Sequence, residues 1–127
     1  MGAGVVGTAI ARAIALAGAS VALVDSATDV GARTSKANTA ILHTGFDAKP
    51  GTLEAGLVAR GYDLLTAYAT AAGIAVERTG ALLVAWDDEQ ADRLPTIAEQ
   101  AETNGYLEAR PIDLDELARR EPYLGSG

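Results

Sequence analysis

Gly2, Gly4 and Gly7 spell G-x-G-x-x-G at the head of the chain, and Asp25 closes the next apolar run, eighteen residues beyond Gly7. This spacing suits a turn that holds a dinucleotide pyrophosphate. The first glycine makes the tight turn, the second lets the backbone approach the phosphates, and the third lets helix and strand pack closely. A carboxylate at the end of the following strand can accept hydrogen bonds from both ribose hydroxyls of an adenosine. A second set of candidates lies between residues 26 and 50, a polar stretch that holds Ser35, Asn38 and the only histidine, His43. A loop of that length in a compact domain is uncommon unless it serves a function. Ser35 and Asn38 also suit capping and turn hydrogen bonds, which such side chains make wherever backbone groups are free.

The elements around these residues are those the chemistry requires. Residues 5–17 read as a helix that is apolar nearly all round, with Arg12 its only charge. A helix of that kind is expected to be buried on more than one side. Gly18 stops it, and residues 20–24 form a continuous apolar run, as in a parallel strand covered on both faces. Helix followed by strand is the second part of a βαβ unit. The strand that should precede Gly2 is not in the sequence, so the chain reads as a fragment whose reading frame continues on both sides.

Further on, apolar spacings of three and four predict an amphipathic helix over residues 52–72, with Pro50 before it and Gly73 at its end. Tyr62 and Tyr68 follow its stripe and read as core. Residues 74–78 and 80–86 read as strands joined by a tight turn at Thr79-Gly80. Asp87 or Asp88 caps a helix running to about Thr103, broken or restarted at Pro95, and Asn104-Gly105 stops it. Residues 110–112 suit a short strand. The acids of Asp113-Leu114-Asp115-Glu116 open a last helix, which Glu121-Pro122 ends.

Composition narrows the function. Of 127 residues, 49% are hydrophobic and 21% charged, which fits a globular α/β chain with a core and not a disordered one. A formal charge of −7, with ten scattered basic residues, argues against nucleic acid. It leaves a nucleotide open, because a glycine turn binds pyrophosphate through backbone N–H groups and a helix N-terminus. The absence of cysteine rules out disulfides, thiolate metal sites and a cysteine nucleophile within the chain, and no metal site is expected. The apolar start lacks the basic leader of a signal peptide, and no run is long enough to span a membrane. Cytoplasm is the default compartment, with peripheral membrane attachment open for the full-length protein.

Three motifs give the chain a resemblance. They are Gly2-x-Gly4-x-x-Gly7 with Asp25, Ser35-x-x-Asn38-Thr39-x-x-Leu42-His43-x-Gly45, and Pro50-Gly51-Thr52-Leu53-x-Ala55-x-Leu57. Together the sequence resembles the amino-terminal part of the FAD-dependent oxidoreductases of the D-amino-acid-oxidase type. It looks closest to the branch containing glycerol-3-phosphate dehydrogenase and L-2-hydroxyglutarate oxidase. The resemblance implies an α/β fold: a Rossmann-like FAD-binding βαβ domain lacking its first strand over residues 1–72, and the start of an α+β substrate-binding domain over 73–127. It implies FAD as cofactor, with Gly2, Gly4 and Gly7 at the pyrophosphate, Asp25 at the adenosine ribose, and Ser35 and Asn38 toward the pyrophosphate and ribityl chain. It also implies that His43 lies in the segment beside the flavin ring, as a positioning group or as the catalytic base. Two residues depart from the family pattern: Asp25 where glutamate is usual, and Ala40 where glycine is frequent.

The activity implied is hydride transfer to flavin from a small anionic 2-hydroxy compound, with glycerol 3-phosphate favoured over L-2-hydroxyglutarate or an amino acid. The electron acceptor is not legible. A nicotinamide-dependent dehydrogenase shares the glycine turn and the acid, but it would proceed to another strand within a normal loop length. A non-catalytic fragment that folds poorly alone is the alternative from a different class.

Overall fold

The computed structural model describes residues 2–125, which fall into two compact units, Met1–Ile41 and Leu42–Gly127. In the first unit, α1 spans Val5–Leu16. Its N-cap is Gly4, in extended conformation and without a side-chain cap of its own. Gly18 then takes a φ of +88°, where a side chain would crowd the backbone, and the helix stops there. Residues 26–38 form a succession of turns and bends.

The second unit carries three helices. Helix α2 spans Leu53–Ala72; the Thr52 hydroxyl accepts from the Ala55 N–H at its start, and Gly73 ends it in the left-handed conformation. Helix α3 spans Asp88–Thr103, and Asp87 accepts from the Gln90 N–H while the Gln90 side chain accepts from the Trp86 N–H. The expected break at Pro95 does not occur. The proline ring leaves the Ala91 carbonyl without its helical donor, but Ala91 is exposed and water can satisfy it. Helix α4 spans Leu114–Arg120, with Asp113 accepting from the Glu116 N–H and the Glu116 carboxylate holding both Arg110 and Arg120.

No strand forms among the described residues. Residues 20–24, 74–78, 80–86 and 110–112 keep their β-like composition but make no ladder, so the sheet expected of a Rossmann-like domain is not assembled. Alternation and β-branching say which residues suit a pleated surface; a strand exists only through hydrogen bonds to a neighbour, which the pattern does not supply. Gly80 still marks the turn between two of these segments, with a φ of +71°.

The core is correspondingly thin. The buried apolar side chains are the alanines Ala3, Ala55, Ala69 and Ala101, and no large side chain among the described residues is fully buried. Helix α1, expected to be covered on several sides, leaves Val6 67% and Leu16 71% exposed, and only Gly7 within it is buried. Tyr68 is likewise 44% exposed, and Tyr62 is half-buried, its hydroxyl accepting from Arg78 at 3.4 Å. An apolar stripe announces a face that wants cover, and these faces do not find it among the described residues.

Candidate functional site

The glycine turn is tied down through Ala3, the buried residue between the first two glycines. Its N–H donates to Asp25 Oδ2 at 2.5 Å, and its carbonyl accepts from the Gly31 N–H at 2.8 Å. The other carboxylate oxygen, Asp25 Oδ1, accepts from the Ala27 N–H at 2.8 Å. Asp25 thus joins the turn to the start of the polar segment, and Gly31 returns from that segment to the turn. These hydrogen bonds hold the Asp25 carboxyl below its ordinary range, the Ala27 N–H most and the Ala3 N–H next; burial opposes them, and the Arg33 charge adds a lesser lowering. Each carboxylate oxygen keeps a further lone pair, so two acceptor positions remain for hydroxyl donors.

Each glycine of the motif has a local reason to lack a side chain. A methyl group on Gly7 would lie 1.8 Å from the Gly2 carbonyl oxygen, so the first turn of α1 could not sit on the glycine turn. On Gly2 it would lie 2.9 Å from Asp25 Oδ2, and on Gly4 3.2 Å from the Ser35 hydroxyl. The Ser35 Oγ accepts from the Val5 N–H at 2.9 Å, supplying from thirty residues away the cap that Gly4 cannot. Asn38 shapes the backbone beyond it, donating to the Ser35 carbonyl at 2.5 Å and accepting from the Ala40 N–H at 2.7 Å.

Two open hollows flank this arrangement. One, of about 470 Å³, is lined by Gly2, Val24, Asp25, Ser26 and Arg33. The other, of about 210 Å³, is bounded by Gly4, Asp25, Ser35 and residues 31–34. The first unit therefore brings Gly2, Gly4, Gly7, Asp25 and Ser35 together, with Asn38 bonded to Ser35. His43 belongs to the second unit, where it is exposed and stands two residues before the buried Gly45.

The family model for FAD dependent oxidoreductases matches residues 1–127, the whole chain. The chain belongs to this FAD-dependent oxidoreductase family. Among its relatives, the glycerol 3-phosphate dehydrogenase of Caloramator mitchellensis is 37% identical over 124 residues, covering 98% of this chain and 26% of the relative. The mitochondrial L-2-hydroxyglutarate dehydrogenase of Pongo abelii is 33% identical over 125 residues, covering 97% of this chain and 30% of the relative. That of Arabidopsis thaliana is 33% identical over 124 residues, covering 98% and 26%. The chain thus spans between a quarter and a third of the length of these relatives. Family membership brings a Rossmann-like fold and a dependence on FAD, in keeping with the resemblance carried by the three motifs.

Sequence reasoning missed two features. Arg33 lines both hollows, although nothing in the spacing around it singles it out. In the second unit, Gln100 of α3 and Asn104, the C-cap one helical turn later, hold the loop after His43. Gln100 Nε2 donates to the Asp47 and Ala48 carbonyls at 2.7 and 3.0 Å, and Asn104 Nδ2 to the Gly45 and Ala48 carbonyls at 2.9 and 2.7 Å. Their spacing of four was a readable signal for a shared face, but not for what that face would meet.

Proposed function

We propose that the full-length protein is an FAD-dependent oxidoreductase that oxidises a small anionic 2-hydroxy compound, with glycerol 3-phosphate preferred to L-2-hydroxyglutarate. The observation that carries this reading is the turn at residues 2–7. Its glycines leave little or no room for a side chain, least of all Gly7, it lies at the N-terminus of α1, and it is braced by a carboxylate with two acceptor positions to spare. These residues fit FAD. Gly2, Gly4 and Gly7 would admit its pyrophosphate, Asp25 would accept from its ribose hydroxyls, and Ser35 and Asn38 would extend the contact toward the ribityl chain. When bound, FAD supplies the acceptor for a hydride. In this reading His43 takes the hydroxyl proton of the substrate as the hydride leaves the carbon. The preference for glycerol 3-phosphate is supported by the segments Ser35 to Gly45 and Pro50 to Leu53 and by the higher identity to the bacterial relative.

The test is to purify the full-length protein, identify its bound cofactor, and mix the oxidised form anaerobically with each candidate substrate. We expect a yellow protein whose flavin absorbance is bleached by glycerol 3-phosphate faster than by L-2-hydroxyglutarate, and a His43→Ala variant that binds FAD but is reduced at least about a hundredfold more slowly. A colourless protein whose stability rises with NAD and not with FAD would mean a nicotinamide enzyme instead.

A further inference from the structure

The turns over residues 26–38 carry two cations, Arg33 and Lys36, and they are differently engaged. Lys36 is bonded to the Asp29 carboxylate within the segment itself. Arg33 makes no ion pair within 4.0 Å among the described residues; its guanidinium donates only a long hydrogen bond of 3.5 Å to the Ser26 hydroxyl. It is exposed, and it borders both the hollow beside Gly2 and Asp25 and the hollow beside Gly4 and Ser35. A side chain with spare donors therefore borders both hollows.

Charge explains why a cation is wanted there. A helix N-terminus offers roughly half a unit of positive charge, less than a pyrophosphate brings, and the Asp25 carboxylate adds a negative charge beside it. The chain as a whole is also acidic, at −7. An arginine provides a full charge and a planar fork of donors suited to phosphate oxygens. Asp25 makes the same place unfavourable to a phosphate on the ribose, so the anion left for Arg33 is the pyrophosphate.

We propose that Arg33 is a further cofactor-binding residue of this chain, supplying the cation that offsets the pyrophosphate charge of FAD beside Asp25. The inference rests on the reading of residues 2–7 as the FAD site. It predicts that Arg33 acts on the phosphate-bearing part of the cofactor and leaves the isoalloxazine and ribityl parts alone. The test uses the full-length apoprotein and measures dissociation constants for FAD, ADP and riboflavin by calorimetry or fluorescence, at ionic strengths from roughly 0.01 M to 0.15 M. In Arg33→Gln, FAD and ADP should bind about tenfold more weakly at low salt, with a flatter salt dependence and unchanged riboflavin binding. Arg33→Lys, which keeps the charge without the fork, should lie between parent and Arg33→Gln.

Parental FAD affinity in Arg33→Gln, an equal loss of riboflavin binding, or Arg33→Lys as weak as Arg33→Gln at an unchanged melting temperature would each overturn the assignment. Gly4→Val separates this failure from that of the site. If the parent binds FAD, Gly4→Val abolishes binding and Arg33→Gln has no effect, only the role of Arg33 is lost. If the parent binds neither FAD nor ADP, the site reading falls and Arg33 with it.

Discussion

Ala40 holds a φ of 54°, alone among the described non-glycine residues in the left-handed region. There its Cβ crowds the following carbonyl, at a cost of about 1–2 kcal/mol that glycine does not bear. The Asn38 side chain holds this conformation by accepting from the Ala40 N–H. Ala40→Gly should stabilise the protein by about 0.5–1 kcal/mol, the relief of strain being partly offset by a more flexible unfolded chain. A denaturant midpoint unchanged or lowered by the substitution would show that the backbone is not strained there. Asp25 gives a prediction with a pH signature. Its folded-state pKa is depressed by the Ala27 and Ala3 N–H groups. The stability it contributes is therefore fully present above its unfolded value of about 3.9 and is lost as the pH falls through the lower folded value. The parent should lose stability more steeply than Asp25→Asn from roughly pH 5 down to pH 2, and identical acid slopes in thermal melts of the two proteins would refute the linkage.

Helix α3 contributes to the second unit in two ways: it is capped by Asp87, and its last two turns hold a loop. Asn104 accepts no load from the helix through its side chain; instead its amide donates to the Gly45 and Ala48 carbonyls, while Gln100 reaches Asp47 and Ala48. Gly45 stands inside this clamp at a φ of +83°, with Val58 of α2 so near that an added methyl would touch it at 3.4 Å. The loop that follows His43 is thus set by a helix more than fifty residues later in the chain. Asn104→Ala should cost about 1–2 kcal/mol and open residues 45–48 to limited proteolysis, with Gln100 left holding Asp47 and Ala48. An unaltered digestion pattern and melting temperature would mean that Gln100 alone suffices.

At the scale of the whole molecule, burial among the described residues is confined to small side chains, and hydrogen bonds do much of the ordering. Ala3, Ala55, Ala69 and Ala101 are covered, while Leu53, Leu57, Leu114 and the apolar residues of α1 remain exposed. The chain spans 26% of its bacterial relative and 30% of a mitochondrial one. No helix among the described residues is long and apolar enough to cross a membrane.

The four helices and their ends were legible in the residues themselves, because caps, left-handed glycines and stripes of three and four are local signals. Thr52, Gly73, Asp87 and Asp113 sit where their chemistry demanded. So were the glycine turn and its acid, since each glycine answers a steric need within a short span, and the family followed from the motifs. The expected strands were not settled by the same means, because pairing depends on a neighbour that sequence pattern cannot place. Nor could periodicity distinguish an apolar helix that wants cover from one that has it. Only the tertiary structure decided that Asp25 grips Ala3, that Ser35 caps α1 from across the segment, that Arg33 borders both hollows, and that Asn104 holds the loop after His43. Those contacts join residues from 22 to 59 positions apart, where spacing carries no signal and the path of the folded chain sets which groups meet.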